Sequence, residues 1–166
     1  MLQPTVFRPR GVFTWEHWRD GKLLNKFDFN NGVTDGGIDD VLSSAFNDAT
    51  GDRTGWAVGL VDASGFTAFA TADTMASHAG WAESVAYSEA NRVAWGPAVA
   101  ASQAIANASP IEFNINAGVT LKGTFLCSDN TKGGATGILW ATAQFASDQV
   151  LLLGDLVKVT YTVTGA

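Results

Sequence analysis

Val12-Phe13-Thr14-Trp15-Glu16-His17-Trp18-Arg19, then Asp20-Gly21, then Lys22-Leu23-Leu24-Asn25-Lys26-Phe27-Asp28-Phe29 is the stretch that decides the fold. Phe13, Trp15, His17 and Arg19 alternate with Thr14, Glu16, Trp18 and Asp20, the period of a strand whose successive side chains leave on opposite faces. Asp-Gly between two such runs signals a hairpin, because both central residues of the tight turn need positive φ. Large aromatics fall on both faces in places. One face is expected to meet a core and the other to be covered by another subunit.

Working outward, the ten residues Met1 to Arg10 carry two prolines and two arginines and show no amphipathic period. Each proline holds itself and its predecessor in extended geometry. Residues 1–11 are therefore expected to be an extended arm, with residues 12–166 forming one β domain. After the hairpin, Ile38, Val41, Leu42, Ala45 and Phe46 form a single stripe at helical spacing, predicting one short helix over about 35–48. Thr34 or Asp35 can cap it. Asp39 and Asp40 suit its first turn, but as neighbours on a helix they point about 100° apart and would not converge on an ion.

Gly55 to Val61 reads as a buried strand ended by Asp62-Ala63-Ser64-Gly65, and Phe66 to Trp81 as a low-charge stretch in which Ala70 to His78 forms a short helix or an irregular loop. The chain then looks all-β. Short extended runs lie at Ala86 to Ser88 and Arg92 to Trp95, and Ala98 to Ala108 reads as a strand. Ile111-Glu112-Phe113-Asn114-Ile115 and the alternation from Val119 to Phe125 predict a second hairpin about Ala117-Gly118. A polar, glycine-rich loop, Ser128 to Gly137, separates these from strands at Ile138 to Phe145 and Leu156 to Val163, with Gly154-Asp155 as a tight turn. Short strands at regular spacing, with one helix, argue a mainly β fold of the β-sandwich or jelly-roll kind.

The chemical inventory is sparse. Two histidines, one cysteine and 16% charged residues leave few groups from which to build a reactive centre. Cys127 lies in an apolar run and cannot form an internal disulfide; His78 sits among small residues and reads as a hydrogen-bonded structural residue. No GxSxG elbow occurs, and Lys132-Gly133-Gly134 has the wrong order for a phosphate loop. A site of His17, His78 and a carboxylate, or a glycosidase pair from Glu83 and Glu89, would need convergence that nothing marks. No enzyme, metal or cofactor is expected. A net charge of −6 speaks against nucleic acid as a partner, and no stretch is long and apolar enough to cross a membrane or resemble a secretory signal. A carbohydrate-binding module is the rival from another class, with Trp15, Trp18 and Trp81 as its stacking candidates.

Beyond these elements, the order of the first hairpin, Asn31-Gly32-Val33-Thr34, Gly37-Ile38-Asp39-Asp40-Val41-Leu42 and Trp56-Ala57-Val58-Gly59-Leu60 resembles small virion proteins of tailed bacteriophages. The run Ala72 to Glu83, with Tyr87 to Trp95, looks like the signature segment of that group; Gly123-Thr124-Phe125-Leu126, Gly137-Ile138-Leu139-Trp140 and Gly154-Asp155 also fit. The likeness covers about Val12 to Val163. It implies a non-enzymatic part of the virion, assembled in the host bacterial cytoplasm. The first expectation is a capsid decoration or cement protein, contacting the major capsid protein and neighbouring copies of itself as a homo-oligomer. The alternative is a tail or tail-fibre component. Interface residues are expected in the arm (Val6, Phe7, Arg8, Arg10), on the first hairpin (Trp15, Trp18) and at Lys132.

Overall fold

The computed structural model describes residues 9–46 and 55–165. Asp20 (φ 50°) and Gly21 (φ 73°) form the expected turn, joining β1 (Arg10–Arg19) to β2 (Lys22–Asn30). Phe13 lies opposite Phe29, and Trp15 opposite Phe27. The other side of β1 pairs with the last strand, β11 (Leu156–Thr164), which sets Phe13 against Tyr161. The rings of Phe29, Phe13 and Tyr161 stack in sequence, with centroids 5.4 and 4.0 Å apart. This aromatic ladder holds three strands together and fixes their register, since a one-residue slip would turn every ring to the other face.

The remaining strands are β3 (Gly32–Val33), β4 (Ala57–Asp62), β5 (Glu83–Ser84), β6 (Val93–Ala94), β7 (Ala104–Ala106), β8 (Ile111–Asn114), β9 (Val119–Cys127) and β10 (Leu139–Leu151). One antiparallel sheet runs β2-β1-β11-β7, with β8 also on β11; the other runs β3-β10-β9-β4-β5, with β6 also on β4. Their inner faces meet over one large core containing Phe13, Trp15, Phe113, Phe145 and Tyr161. A satellite core of Met75, Trp81, Phe125 and Leu139 lies beneath the irregular stretch 66–81. Among the described residues the fold is thus mainly β, two sheets with one short helix, as the spacing of the strands predicts.

Several details differ from the sequence reading. Arg10 and Gly11, assigned to the arm, are the first rungs of β1, opposite Thr164 and Val163. Gly11 is needed there, because a Cβ would stand 2.4 Å from the Tyr161 hydroxyl. The second hairpin does not form: β8 pairs with β11 and β9 with β4 and β10, so the chain at 115–118 crosses between sheets. Alternation identified both strands correctly but carries no information about which partner each takes. The run Ala98 to Ala108 reduces to β7, because Ser102 (φ 50°) and Gln103 (φ 62°) turn the chain sharply between Ala101 and Ala104.

Helix α1 (Asp35–Phe46) is capped by Thr34, whose Oγ1 accepts the Gly37 amide at 3.0 Å. Positions 47 and 48 of the expected helix fall outside the described residues. Its buried face is Gly37 and Asp40, while Leu42 and Phe46 of the predicted stripe are exposed. Gly37 permits this: a Cβ there would lie 2.5 Å from the Trp140 carbonyl oxygen, so the bare backbone lets the helix settle on β10.

Candidate interface

Asp155 organises one end of the sandwich. Gly154 (φ 91°) turns the chain between β10 and β11 and points the Asp155 carboxylate back at the end of β1. There Arg19 donates from Nε to Oδ1 at 2.6 Å and from Nη2 to Oδ2 at 2.8 Å. His17 Nε2 donates to Oδ2 at 2.8 Å, and so does the Leu152 amide. The Asp155 side chain is only 1% exposed. Its hydrogen bonds, Arg19 first and then Leu152 and His17, hold its carboxyl far below the usual carboxylate range against the opposing effect of burial. Its backbone carbonyl accepts from the Ile115 amide, and the Gly154 amide donates to the Ile115 carbonyl, which ties in the end of β8. One aspartate thus locks three strand ends.

Around this anchor the surface is apolar. Leu152 and Leu153 in the turn are 50% and 73% exposed, Val150 is 62%, and Leu23 and Leu24 at the start of β2 are 44% and 51%. The Asn25 side chain donates to Gln149 Oε1 at 3.1 Å, which holds the start of β2 beside the end of β10. A single exposed leucine means little, but five large apolar side chains exposed on segments that meet at this end make it a candidate contact surface. Trp18 stands at the rim, half-buried, its indole N–H bonded to Glu16 at 2.9 Å and its ring 5.7 Å from Lys158 Nζ.

A second anchor fixes the far loop. Arg92 donates to both Glu83 oxygens (3.0 and 2.7 Å) and to the carbonyls of Asp129 and Gly134 (2.9 and 2.6 Å). Its guanidinium also lies 5.3 Å from the Phe125 ring centre. The loop 128–137 is therefore stapled to the sheet rather than left as a free arm of glycines. Asp129, bonded to Thr136 and Thr131, has its carboxyl lowered to about 2.

Of the residues expected at an interface, Val6, Phe7 and Arg8 lie outside the described residues. Arg10 is exposed at the start of β1. Trp15 is wholly buried against Phe145 and offers nothing to a partner; its inward parity on β1 put it in the core. Lys132 is likewise turned inward, donating to the carbonyls of Tyr87 and Glu89 and sitting over the Tyr87 ring. Only Trp18 joins the apolar end. The exposed leucines of the turn are not signalled by the sequence pattern, which marks Gly154-Asp155 as a tight turn without showing what it displays.

The other candidate chemistry disperses. His78 stacks on Trp81 at 3.9 Å and bonds its carbonyl, far in sequence from the His17–Asp155 contact, and among the described residues no three His, Cys, Asp or Glu side chains cluster as a metal site. Glu83 belongs to Arg92, and Glu89 accepts from Asn114. Cys127 is buried, and burial raises its thiol pKa. With Trp15 and Trp81 both buried, two of the three proposed sugar-stacking rings are withdrawn from solvent. An apolar slot between Val41, Trp56, Trp95 and Trp140 holds about 230 Å³, below the usual size of a small-molecule site.

Compared with known proteins, the chain matches no family model, and no curated protein matches it in sequence.

Proposed function

We propose that this chain is a non-enzymatic structural component of a tailed-phage virion, and specifically a decoration or cement protein seated on the outside of the head. The observation that carries the reading is the leucine-rich end, with Leu152 and Leu153 exposed on a turn locked by Asp155 and Leu23 and Leu24 exposed at the start of β2. A surface pre-organised in this way loses little conformational entropy on docking. The resemblance of the segment order to that of small virion proteins suggests the setting, and a net charge of −6 suits an outer surface better than a DNA-facing one.

In such a role the protein acts as a clamp. Packaged DNA presses shell subunits apart, and a rigid body spanning a seam makes their separation cost more. Each contact needs on the order of 800 Å² per partner, repeated by the symmetry of the shell.

The test is co-sedimentation of the purified full chain with expanded phage heads and, separately, with purified tails. The wild type is expected to pellet with heads and to raise the temperature at which they rupture. Changing Leu152 and Leu153 together to Asp should preserve the circular dichroism spectrum and weaken head binding roughly a hundredfold, the effect of losing central apolar anchors. Undiminished head binding by that variant, or pelleting with tails instead, would sink the reading.

A further inference from the structure

A cleft of about 320 Å³ opens where the irregular stretch 66–81 borders the outer face of the second sheet. Residues 69–71 form one wall, residues 30–34 the other, and Thr142 and Gln144 of β10 lie between them. Both project outward because Ala141, Ala143 and Phe145 of the same strand point into the main core. The Asp35 amide donates to the Thr71 carbonyl at 2.9 Å and links the two walls. Asn31 is held at both ends of its side chain, accepting from the Gly11 amide at 2.6 Å and donating to the Tyr161 hydroxyl at 2.8 Å. Phe69 is half-buried, braced edge-on by Phe66 at 5.0 Å and Trp81 at 5.6 Å, and leaves its open side to the cleft. The cleft is thus formed before anything enters it, which lowers the entropic cost of binding.

Its chemistry is polar without charge. No residue lining it is ionisable. Thr142 is 5% exposed, yet its hydroxyl has no hydrogen-bond partner among the described residues and is not sealed from solvent. The side chains of Asn30, Thr71 and Gln144 are exposed and likewise unpartnered. Hydroxyl and amide side chains both donate and accept, which matches the hydroxyls of a sugar. An aromatic ring beside them suits the C–H face of a pyranose, whose weakly positive hydrogens meet the negative π face. A phosphate, carboxylate or ammonium group would find no counter-charge among the lining residues.

We propose that this cleft binds one neutral sugar residue through Thr142, Gln144 and Asn30, with Phe69 as its apolar wall. The volume falls at the lower end of the roughly 300–1,000 Å³ of small-molecule sites, which suits a single ring. The site stands apart from the head-binding reading, and only its direction rests on it. Asn30 ends β2 and Thr142 stands near the start of β10, whereas the leucines lie at the start of β2 and beyond the end of β10. About 20 Å of strand separates Leu24 from Asn30, so a copy seated by its leucine turn holds the cleft away from the shell.

Nuclear magnetic resonance titration of the isotope-labelled full chain tests the site, with glucose, galactose, mannose and N-acetylglucosamine as neutral probes. At least one of them is expected to shift the amides of Val33, Thr71 and Thr142 saturably, with a Kd on the order of 1 mM. Glucosamine and N-acetylneuraminic acid, which carry charge, should not. Thr142→Val keeps the shape and removes the hydroxyl, and Gln144→Ala lies at an exposed position. Each should weaken sugar binding about three- to tenfold, the loss of one hydrogen bond. No shift at these amides with any of the four sugars, equal binding of the charged ones, or undiminished binding by either variant would overturn the site. A chain that binds sugar but ignores heads keeps this site and overturns the head-binding reading; one that binds heads and no sugar does the reverse.

Discussion

Replacing Arg92 with alanine is expected to cost about 3–5 kcal/mol, the range for removing one partner of a buried ion pair. The Arg92 side chain is 0% exposed and that of Glu83 8%, so neither charge can turn to water for compensation. The substitution leaves Glu83 facing the Gly133 amide at 3.0 Å, removes the guanidinium donor from the Gly134 carbonyl, and leaves the Asp129 carbonyl with the Cys127 thiol. Arg92→Lys should recover little of the loss, because an ammonium cannot reproduce a planar fork serving a carboxylate and two carbonyls at once. Urea unfolding measures the cost, and proteolysis of the loop 128–137 should quicken in the variant. A cost below about 1 kcal/mol would mean that the loop is held by something else.

The second large effect is at Asp155. Asp155→Asn should destabilise the neutral protein by about 2–4 kcal/mol, since hydrogen bonds to a charged group contribute roughly 1.5–3 kcal/mol and the carboxylate accepts several. The pH dependence follows from the direction of the shift. The folded carboxyl is held below its unfolded value of about 3.9, so its contribution is complete above that value and lost as the pH falls towards the folded pKa. Wild type and variant should therefore differ most near neutrality and converge in strong acid. Denaturant titrations from pH 7 downwards would show this, and parallel curves would contradict the role given to Asp155. Because the same carboxylate fixes the leucine turn, the variant should also bind particles less well.

What could be read from the sequence was local. The Asp20-Gly21 hairpin, the cap at Thr34 and the strand character of Ile111 to Asn114 depend on neighbours a few residues apart. What stayed hidden depends on which distant segments meet. Asp155 and Arg19 are brought together by the pairing of β1 with β11, which no local pattern announces. A signal was nevertheless present: His17 and Arg19 share the inward parity of Phe13 and Trp15, and polar groups on that face need a partner. Arg92, beside Val93 in a stretch of low charge, made a similar demand that Glu83 answers. Lys132 departs from its expected place at an interface for the opposite reason. A lysine in a polar loop reads as solvated, yet carbonyls from the chain at 87–89 fold over it.

The central claim is that this sandwich works through its outer surface, as a fixed body seated against the shell. Cryo-electron microscopy of intact particles from a lysate containing the protein, with the chain marked by a bound antibody fragment, addresses that claim directly. The expected map shows copies on the outer face of the head with the Leu152–Leu153 turn against the shell. Density confined to the tail, or an unlabelled particle beside abundant free protein, would contradict it.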